Sequence, residues 1–368
     1  SQSLEFEPMT SSSPITSHVD IARLPTVNIS VDSDPVGARL GGFWRVWQQH
    51  QASPWIVMIL RKGFGLKFLA ETPPLTLTPR SFTLPRDPQR RQALDLEVSQ
   101  MIEKAAVELA PRHTPGFYSI LFVVPKASGG WRPVIDLSAL NRYLQVPTFA
   151  METPEQIRLS MPRNAWVVTL DLKDAYFHVP MRQSVRKFLR FVYKGEIWQF
   201  RALPFGLSTA PWIFTMCVRE VQILAHRQGI VMYQYLDDWL IRHHSPHVLV
   251  RQAQWVVDMC HKLGLRINPK KSDLSPRRDF VFLGYRFLTS SAIVLPTADR
   301  QSKLLGLLRL FLTRKPQPAS KWLSLLGILA ATEKLVPLGR LHMRVLQRHM
   351  QSNWSQTTGD MAQLVPVS

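Results

Sequence analysis

Two adjacent aspartates, Asp237 and Asp238, interrupt an otherwise apolar stretch of the chain. They lie in segment 230–242, whose two flanks have the composition of β-strands joined by a tight turn. Like charges a few ångströms apart repel each other, and a divalent cation relieves that repulsion. Hard oxygen ligands suit Mg²⁺. A type I′ hairpin turn with both aspartates facing water explains the pair equally well, so the pair alone leaves both interpretations open.

A third aspartate, Asp171, directly follows a second apolar run. Residues 167–170 predict a buried strand. A carboxylate at the end of such a strand is placed to meet the acidic turn of another strand in the same sheet. Three converging carboxylates hold two Mg²⁺ ions about 3.5–4 Å apart, the arrangement that supports in-line phosphoryl transfer. One ion would activate a hydroxyl nucleophile, and the other would bind a triphosphate and stabilise the departing pyrophosphate.

The charge balance favours a polyanionic partner. The chain of 368 residues has 45 Lys and Arg against 26 Asp and Glu, a net charge of +19. A basic protein that is merely soluble remains the alternative. The two cysteines, Cys217 and Cys260, stand in unrelated contexts and indicate a reducing compartment. We see no secretory signal and no apolar run of the ~20 residues that a membrane span needs. We therefore expect a protein of the cytoplasm or nucleus that makes no membrane contact.

Sequence periodicity predicts an α+β fold. A helix should begin at Asp87-Pro88, continue through Leu109 and close at Pro111. Residues 118–124 and 131–136 predict two strands around a segment of turn composition. After Thr297 the pattern becomes helical, with two leucine-rich stripes that we expect to be core. A third helix aligns three arginines on one face, either solvated or tracking phosphates: Arg340, Arg344 and Arg348.

Six segments in order resemble the fingers and palm of reverse transcriptases. They are SILFVVPK and GWRPVID within 119–136, LDLKDAYF at 170–177, LPFGLSTAP at 203–211, YLDD at 235–238, GLRINPKK at 264–271 and FLGY at 282–285. The resemblance spans about residues 90–290. It implies a right-hand polymerase with fingers, a ferredoxin-like palm and a helical thumb-like C-terminal region. It also implies transfer of deoxynucleotides to a primer on an RNA or DNA template, with two Mg²⁺ ions or Mn²⁺ in their place.

The resemblance assigns roles to individual residues. Asp171, the carbonyl of Leu172, Asp237 and Asp238 would bind metal, and Lys271 would donate a proton to pyrophosphate. Tyr176 would exclude a ribose 2′-hydroxyl and so favour dNTPs. Phe205 stands where lentiviral enzymes have glutamine, so hydrogen bonding is not inferred there. The dNTP site would comprise Lys126, Arg132, Leu172, Asp174, Ala175, Tyr176, Phe205 and Gly206, and the primer grip Phe282, Leu283, Gly284 and Tyr285.

The same patterns suggest domain boundaries and a subgroup. We expect a flexible arm over 1–35, an aromatic and Pro-rich block over 36–88, fingers and palm over 89–290, a helical thumb- or connection-like region over 291–352 and a tail over 353–368. Parts of the block, and residues 323–341, resemble DIRS-type retrotransposon polymerases. After Asp299 the only acidic residues are Glu333 and Asp360, too few for a ribonuclease H centre, so we expect the chain to stop short of that domain.

Two other functions are compatible with these patterns. One is a catalytically silent, transposon-derived nucleic-acid-binding protein, and the other is an RNA-dependent RNA polymerase. The intact set of three aspartates argues against the first, and Tyr176 argues against the second. The oligomeric state is left open by the sequence.

Overall fold

The computed structural model describes residues 21–30, 32–79, 85–125, 131–336, 338–355 and 359–367. The helices within these ranges are α1 (Leu40–Gln49), α2 (Pro54–Lys62), α3 (Pro88–Glu103), α4 (Ser138–Asn141), α5 (Pro154–Ser160), α6 (Ala210–Arg227), α7 (Pro246–Lys262), α8 (Ala298–Phe311), α9 (Ala319–Thr332) and α10 (Gly339–Asn353). The strands are β1 (Val107–Leu109), β2 (Ile120–Pro125), β3 (Trp131–Asp136), β4 (Trp166–Asp171), β5 (Arg190–Tyr193), β6 (Glu196–Phe200), β7 (Val231–Tyr235), β8 (Asp238–His243), β9 (Asp273–Arg277), β10 (Asp279–Phe282), β11 (Tyr285–Leu288), β12 (Ile293–Pro296), β13 (Gln317–Pro318) and β14 (Leu364–Val365).

The palm is a four-stranded antiparallel sheet in the order β7-β8-β4-β9. Along the chain its elements run β4, α6, β7, β8, α7 and β9, which is the β-α-β-β-α-β order of a ferredoxin-like fold. Helix α7 packs on β4, β8 and β9, while α6 packs on β7. Five of the six residues of β4 are buried, as befits an inner strand, and the predicted ferredoxin-like palm is confirmed.

The fingers hairpin pairs β2 with β3 from Ile120↔Asp136 to Pro125↔Trp131, and α3 packs against it. The predicted helix extended too far. The helix α3 ends at Glu103, and Ala105 takes a left-handed φ of 52°, a common way to end a helix. The next residues form β1, which pairs with β6. Of the residues that seemed to continue the helical period, Ala105 takes this left-handed conformation and Leu109 is the last residue of the strand.

The segment predicted to be a flexible arm, residues 1–35, includes residues that contact the rest of the protein. Residues 1–20 and 31 lie outside the described ranges. From Val27 onward the chain contacts the palm: Val27 is buried, Asn28 exchanges hydrogen bonds with Gln254, and Asp32 forms ion pairs with Arg39 and Arg266. The carboxylate of Asp32 thus ties the arm to the N-terminal block through Arg39 and to the palm through Arg266, both partly buried.

Helices α1 and α2 of the N-terminal block pack against each other and against the palm. The indole of Trp47 is fully buried and donates to the carbonyl of Leu263 at 2.8 Å. The block therefore shares the hydrophobic core of the palm.

The C-terminal helices have a separate small core around Phe311, Trp322, Leu325 and Met350. Thr297 caps α8 as predicted, its hydroxyl accepting from the N–H of Arg300. The expectation that both leucine stripes are core is met only in part by the stripe of α8. Phe311 is buried and Leu304 and Leu307 pack in this core, whereas Leu305, Leu308 and Leu312 are exposed, Leu312 to 78%. The arginines of α10 are also exposed, and no helix of the described ranges is long and apolar enough to cross a bilayer.

Candidate active site

Two of the three predicted aspartates face each other across the palm sheet. Asp171 ends β4, Asp238 begins β8, and the two are direct partners in the antiparallel register. Residues so paired project their side chains on the same face of a sheet. Asp237 occupies the two-residue turn from β7 to β8, and its carbonyl accepts the N–H of Leu172 at 2.9 Å. The fold thus brings the three aspartates to one end of the palm.

A polar loop before β9 holds the backbone of Asp171 on both sides. The N–H of Asn268 donates to the Asp171 carbonyl at 2.7 Å, and the Asp171 N–H donates to the hydroxyl of Ser272 at 3.0 Å. That hydroxyl donates in turn to the carbonyl of Asn268. Sequence reasoning missed Asn268 and Ser272, although a polar segment directly after Ile267 was a usable signal.

The same loop supplies the nearest cation. Nζ of Lys271 lies 3.9 Å from Oδ2 of Asp171, on a side chain that is 68% exposed. The neighbouring Lys270 is not paired with any of the three aspartates. The structure therefore places Lys271, and not its neighbour, at the carboxylates.

The local electrostatics disfavour negative charge. Burial raises the pKa of Asp171, Lys271 lowers it, and the carboxylate of Asp237 raises it again. Partial burial together with the carboxylates of Asp237 and Asp171 raises the pKa of Asp238 to about 6, although Lys271 opposes that shift. One exposed ammonium group does not neutralise three carboxylates, so the site favours a further cation.

The donor set fits a hard divalent cation. It offers carboxylate oxygens and backbone carbonyls at one end of a sheet, and Mg²⁺ in proteins commonly takes one or two carboxylates with waters and substrate phosphates. Within the described ranges, no three His, Cys, Asp or Glu side chains form a group that could hold a metal ion by themselves. The backbone therefore brings the three aspartates to one end of the palm sheet, but their side chains do not by themselves form a complete metal site.

An aromatic cluster lies next to the aspartates. The ring of Tyr176 is 4.8 Å from that of Phe205 and 5.5 Å from that of Phe214, measured between centroids. Tyr176 is buried, and this burial, with the charge of Asp237, raises its pKa to about 12. Phe205 is 49% exposed. Gly206 has φ 87°, a conformation that glycine adopts without strain, and its carbonyl accepts from Asn141.

Two residues predicted to line the dNTP site, Asp174 and Ala175, bond to partners that the sequence did not indicate. The carboxylate of Asp174 pairs with Nζ of Lys104 at 2.7 Å, which ties the palm to the end of α3. Ala175 is buried, and its carbonyl meets Nδ1 of His178 at 2.9 Å. Nothing in the spacing of the sequence connects Lys104 with Asp174.

The predicted triphosphate ligands fall largely outside the described parts of the chain. Lys126 lies in the segment 126–130, and the side chain of Arg132 is also outside them. The backbone of Arg132 pairs with Val124 in the fingers hairpin. Their roles stay predictions.

The predicted primer grip forms the hairpin of β10 and β11. Phe282 and Tyr285 are register partners, and the turn residues Leu283 and Gly284 have φ 49° and 78°, as in a type I′ turn. Phe282 is buried, and the hydroxyl of Tyr285 donates to the carbonyl of Ala331. The turn is thereby anchored to the C-terminal helices.

Comparison with known proteins agrees with this geometry. A family model described as "Reverse transcriptase (RNA-dependent DNA polymerase)" matches residues 124–287. The Gag-Pol polyprotein of Rous sarcoma virus subgroup C (strain Prague) is 29% identical over 175 residues, 45% of this chain and 11% of the polyprotein. The Gag-Pro-Pol polyprotein of Human T-cell leukemia virus 3 (strain 2026ND) is 27% identical over 61% of this chain and 16% of the polyprotein. The Tf2-3 transposon polyprotein of Schizosaccharomyces pombe is 27% identical over 56% of this chain and 15% of that polyprotein. The chain thus spans 11–16% of the length of these relatives.

Solved structures share the fold. A foamy viral protease-reverse transcriptase dRH in complex with double-stranded DNA aligns with a TM-score of 0.63 at 16% identity, over 92% of this chain and 61% of that chain. The foamy viral protease-reverse transcriptase in complex with an RNA/DNA hybrid aligns with a TM-score of 0.62 at 18% identity, over 78% and 37%.

Proposed function

We propose that the chain is a member of the reverse transcriptase family, whose model matches residues 124–287, and that it is an RNA-directed DNA polymerase that extends a primer 3′ end with dNTPs. The observation that carries this proposal is the register pairing of Asp171 with Asp238, with Asp237 in the adjoining turn and Lys271 beside Asp171. Converging carboxylates can hold the metal ions of in-line phosphoryl transfer, and a nearby ammonium group can protonate the leaving group.

The carboxylates of Asp171, Asp237 and Asp238 and the carbonyl of Leu172 would hold Mg²⁺, in a two-ion arrangement or with Mn²⁺. The bound ions would supply charge neutralisation and acidify the attacking hydroxyl. The pKa of Asp238, raised to about 6, implies that protons compete with cations for this carboxylate below about pH 6, and the raised pKa of Asp171 acts in the same direction. Lys271, whose Nζ lies 3.9 Å from Oδ2 of Asp171, would protonate the departing pyrophosphate.

The aromatic cluster supports selection of deoxynucleotides. Tyr176 is braced by Phe205 and Phe214, so its ring cannot easily move aside for a 2′-hydroxyl. Lys126 and Arg132 would hold the triphosphate, and the hairpin from Phe282 to Tyr285 would contact the primer. The ion pair between Asp174 and Lys104 would fix the backbone just before Tyr176 and so help to hold its ring in the dNTP site.

Composition and sequence resemblance indicate the partner, location and origin of the protein. A net charge of +19 suits a nucleic-acid template and primer, and two buried free cysteines suit an intracellular location. The N-terminal block and residues 323–341 support a DIRS-type retrotransposon origin by their resemblance alone.

Primer extension tests the proposed activity directly. Wild-type protein with poly(rA)/oligo(dT), dTTP and Mg²⁺ should extend the primer, and Asp237→Asn should lower the rate by about 10³-fold, the loss of several kcal/mol of charge stabilisation. Asp299→Asn is the matched control, because Asp299 is exposed on α8 and pairs only with Lys303 among the described residues. Absence of extension by wild type would support a silent nucleic-acid-binding protein. A preference for UTP over dTTP would identify an RNA polymerase instead.

A further inference from the structure

Residues 263–266, the connecting segment, join the end of α7 to the loop at the candidate active site. Two positions beyond this segment, the N–H of Asn268 donates to the carbonyl of Asp171 at 2.7 Å. The N–H of Lys271 donates in turn to the carbonyl of Asn268 at 3.3 Å, and its Nζ lies 3.9 Å from Oδ2 of Asp171. A displacement of the connecting segment would therefore reach both the support of Asp171 and the lysine beside it.

Helix α1 of the N-terminal block contacts the start of the connecting segment. The fully buried indole of Trp47 donates to the carbonyl of Leu263 at 2.8 Å. The ring of Phe43 lies so close to Gly264 that a Cβ atom there would come within 2.5 Å of Cδ2 of the ring. Gly264 also has φ 83°, a conformation that glycine adopts without strain. The missing side chain thus lets α1 approach the backbone of the segment.

An ion-paired network holds the rest of the connecting segment. Nε of Arg39 donates to the carbonyl of Gly264 at 3.1 Å, and Nη2 of Arg266 donates to Oδ1 of Asp32 at 2.7 Å. The other carboxylate oxygen of Asp32 pairs with Arg39. The three charged side chains are only 10% to 20% exposed. Water screens them less than it screens surface charges, so these bonds should contribute more than an exposed ion pair does.

The residues that precede Asp32 are themselves attached to α7. Val27 is buried, and the backbone of Asn28 exchanges hydrogen bonds of 2.8 and 3.1 Å with the side-chain amide of Gln254. Asp32 is therefore presented to Arg266 by a segment that is already held in place. Less conformational entropy is lost when such a carboxylate forms its ion pairs.

The polar contacts have an effect that the shared hydrophobic core does not supply. Apolar packing joins the block to the palm but is not directional, whereas hydrogen bonds require defined distances and angles. Bonds from Trp47, Arg39 and Asp32 all end on four consecutive residues. They therefore fix the course of the backbone that enters the candidate active site. The residues that donate or accept them precede the segment 124–287 that the family model matches.

We propose that the N-terminal block is a brace for the candidate active site, in which Asp32 and Arg39 are positioning residues. Both act through the connecting segment and set the place of the loop that supports Asp171 and carries Lys271. The catalytic part of the inference rests on the proposed function, because a placed proton donor matters only if the chain extends a primer. Misplacing a reacting group by about 1 Å can lower a rate by about 10²-fold.

Hydrogen–deuterium exchange of the full chain, without Mg²⁺ or nucleic acid, tests the brace. Asp32→Ala should speed exchange at least about 10-fold in peptides that cover residues 264–272, because loss of a charge-assisted hydrogen bond favours local opening. Peptides of α6, in the core of the palm, should exchange as in wild type.

Asp34→Ala is the matched control for this measurement. Asp34 lies two positions further along the same arm, its side chain is 77% exposed, and it is 3.7 Å from Arg39. This variant should exchange like wild type. Asp32→Asn keeps the size of the side chain and an acceptor for the N–H of Asp34, so it tests the lost charge in a chain with little change in packing. It should show the same local increase at 264–272.

Primer extension separates positioning from a purely structural role. Asp32→Ala should lower kcat by about 10²-fold and leave the KM for dTTP unchanged, because neither Asp32 nor the connecting segment belongs to the dNTP site assigned above. Lys271→Met should cost less in the Asp32→Ala background than in wild type, since a displaced lysine has little left to contribute. Asp34→Ala should again behave like wild type.

The outcomes distinguish the brace from the proposed function. Exchange that is unchanged at 264–272, or that rises equally in α6, would overturn the inference. Losses from Asp32→Ala and Lys271→Met that simply multiply would also overturn it, while extension by wild type would leave the proposed function standing. A local increase in exchange in a protein whose wild type extends no primer would keep the brace and contradict the proposed function alone.

Discussion

Nε2 of His178 accepts the backbone N–H of Arg266 at 3.0 Å, across 88 positions of the chain. Because Nε2 accepts, the ring proton sits on Nδ1 and donates to the carbonyl of Ala175. A second bond runs from the N–H of Lys173 to the carbonyl of Arg266. The segment with Asp171 and the loop with Lys271 are thereby joined behind the candidate site.

Replacing His178 should destabilise the protein. His178→Phe leaves a donor on Arg266 and an acceptor on Ala175 without partners, which costs about 2–5 kcal/mol in the free energy of unfolding. His178→Gln keeps one donor and one acceptor and should cost less. Urea denaturation measures both variants. Equal stability of the two would show that the bridge contributes nothing.

The imidazole also predicts an acid limit. Full burial lowers the pKa of His178 to about 4, below the ~6.5 of an unfolded histidine. The folded state then binds fewer protons, so this stabilisation is present above pH 6.5 and is lost as the pH falls towards 4, by about 3 kcal/mol. Unfolding free energies between pH 7 and 4 should therefore fall less in His178→Gln than in wild type. Parallel pH curves would contradict this assignment.

Asp238 predicts a stability change of the opposite sign. Its folded pKa of about 6 exceeds the ~3.9 of an unfolded aspartate, so its favourable contribution is present below pH 3.9 and is lost as the pH rises through 6. At pH 8 without divalent cations, Asp238→Asn should melt at a higher temperature than wild type and should not extend a primer. Added Mg²⁺ should raise the melting temperature of wild type more than that of the variant.

Asp279 provides the control for that measurement. Its carboxylate is exposed and bonded to Arg286, which lowers its pKa. Asp279→Asn should therefore leave the melting temperature unchanged or lower it slightly at pH 8. A rise in both variants would point to general charge effects.

Lys271 and Lys270 form a matched pair for testing proton transfer. Lys271→Met should lower the extension rate by about 10²–10⁴-fold, the usual contribution of a positioned acid. It should also shift the acid limb of the pH–rate profile to higher pH. Lys271 lowers the pKa of both Asp171 and Asp238, so its loss raises both values. Lys270→Met should behave like wild type. Equal losses in both variants would remove the special role of Lys271.

Tyr176 should control the choice of sugar. Tyr176→Val removes the ring that we propose faces the sugar of the nucleotide, and it should reduce the preference for dTTP over UTP by about 10- to 200-fold. Tyr176→Phe keeps the ring and should retain the preference. The ratio of kcat/KM for the two nucleotides is the measurement. A preference unchanged in Tyr176→Val would place sugar selection elsewhere.

Local patterns predicted much of the fold. The apolar run before Asp171 forms β4, the acidic turn joins β7 to β8, and Thr297 caps α8. These features depend on residues close in sequence, so their types and spacing suffice to indicate them. The helix predicted to Leu109 failed because the strand β1 depends on its distant partner β6. The spacing of hydrophobic residues within a segment carries no information about a strand partner so far away in the chain.

The sequence by itself determined the chemical composition of the candidate site: three aspartates, a lysine and a tyrosine in an order that resembles reverse transcriptases. Only the tertiary structure decided their partners. The pairing of Asp171 with Asp238, the clamp from Asn268 and Ser272, and the bridge of His178 to Arg266 all join distant segments. The same holds for the contact of the N-terminal block with the palm, where the indole of Trp47 donates to the carbonyl of Leu263. Such contacts follow from sheet register and core packing, which no short stretch of residues encodes.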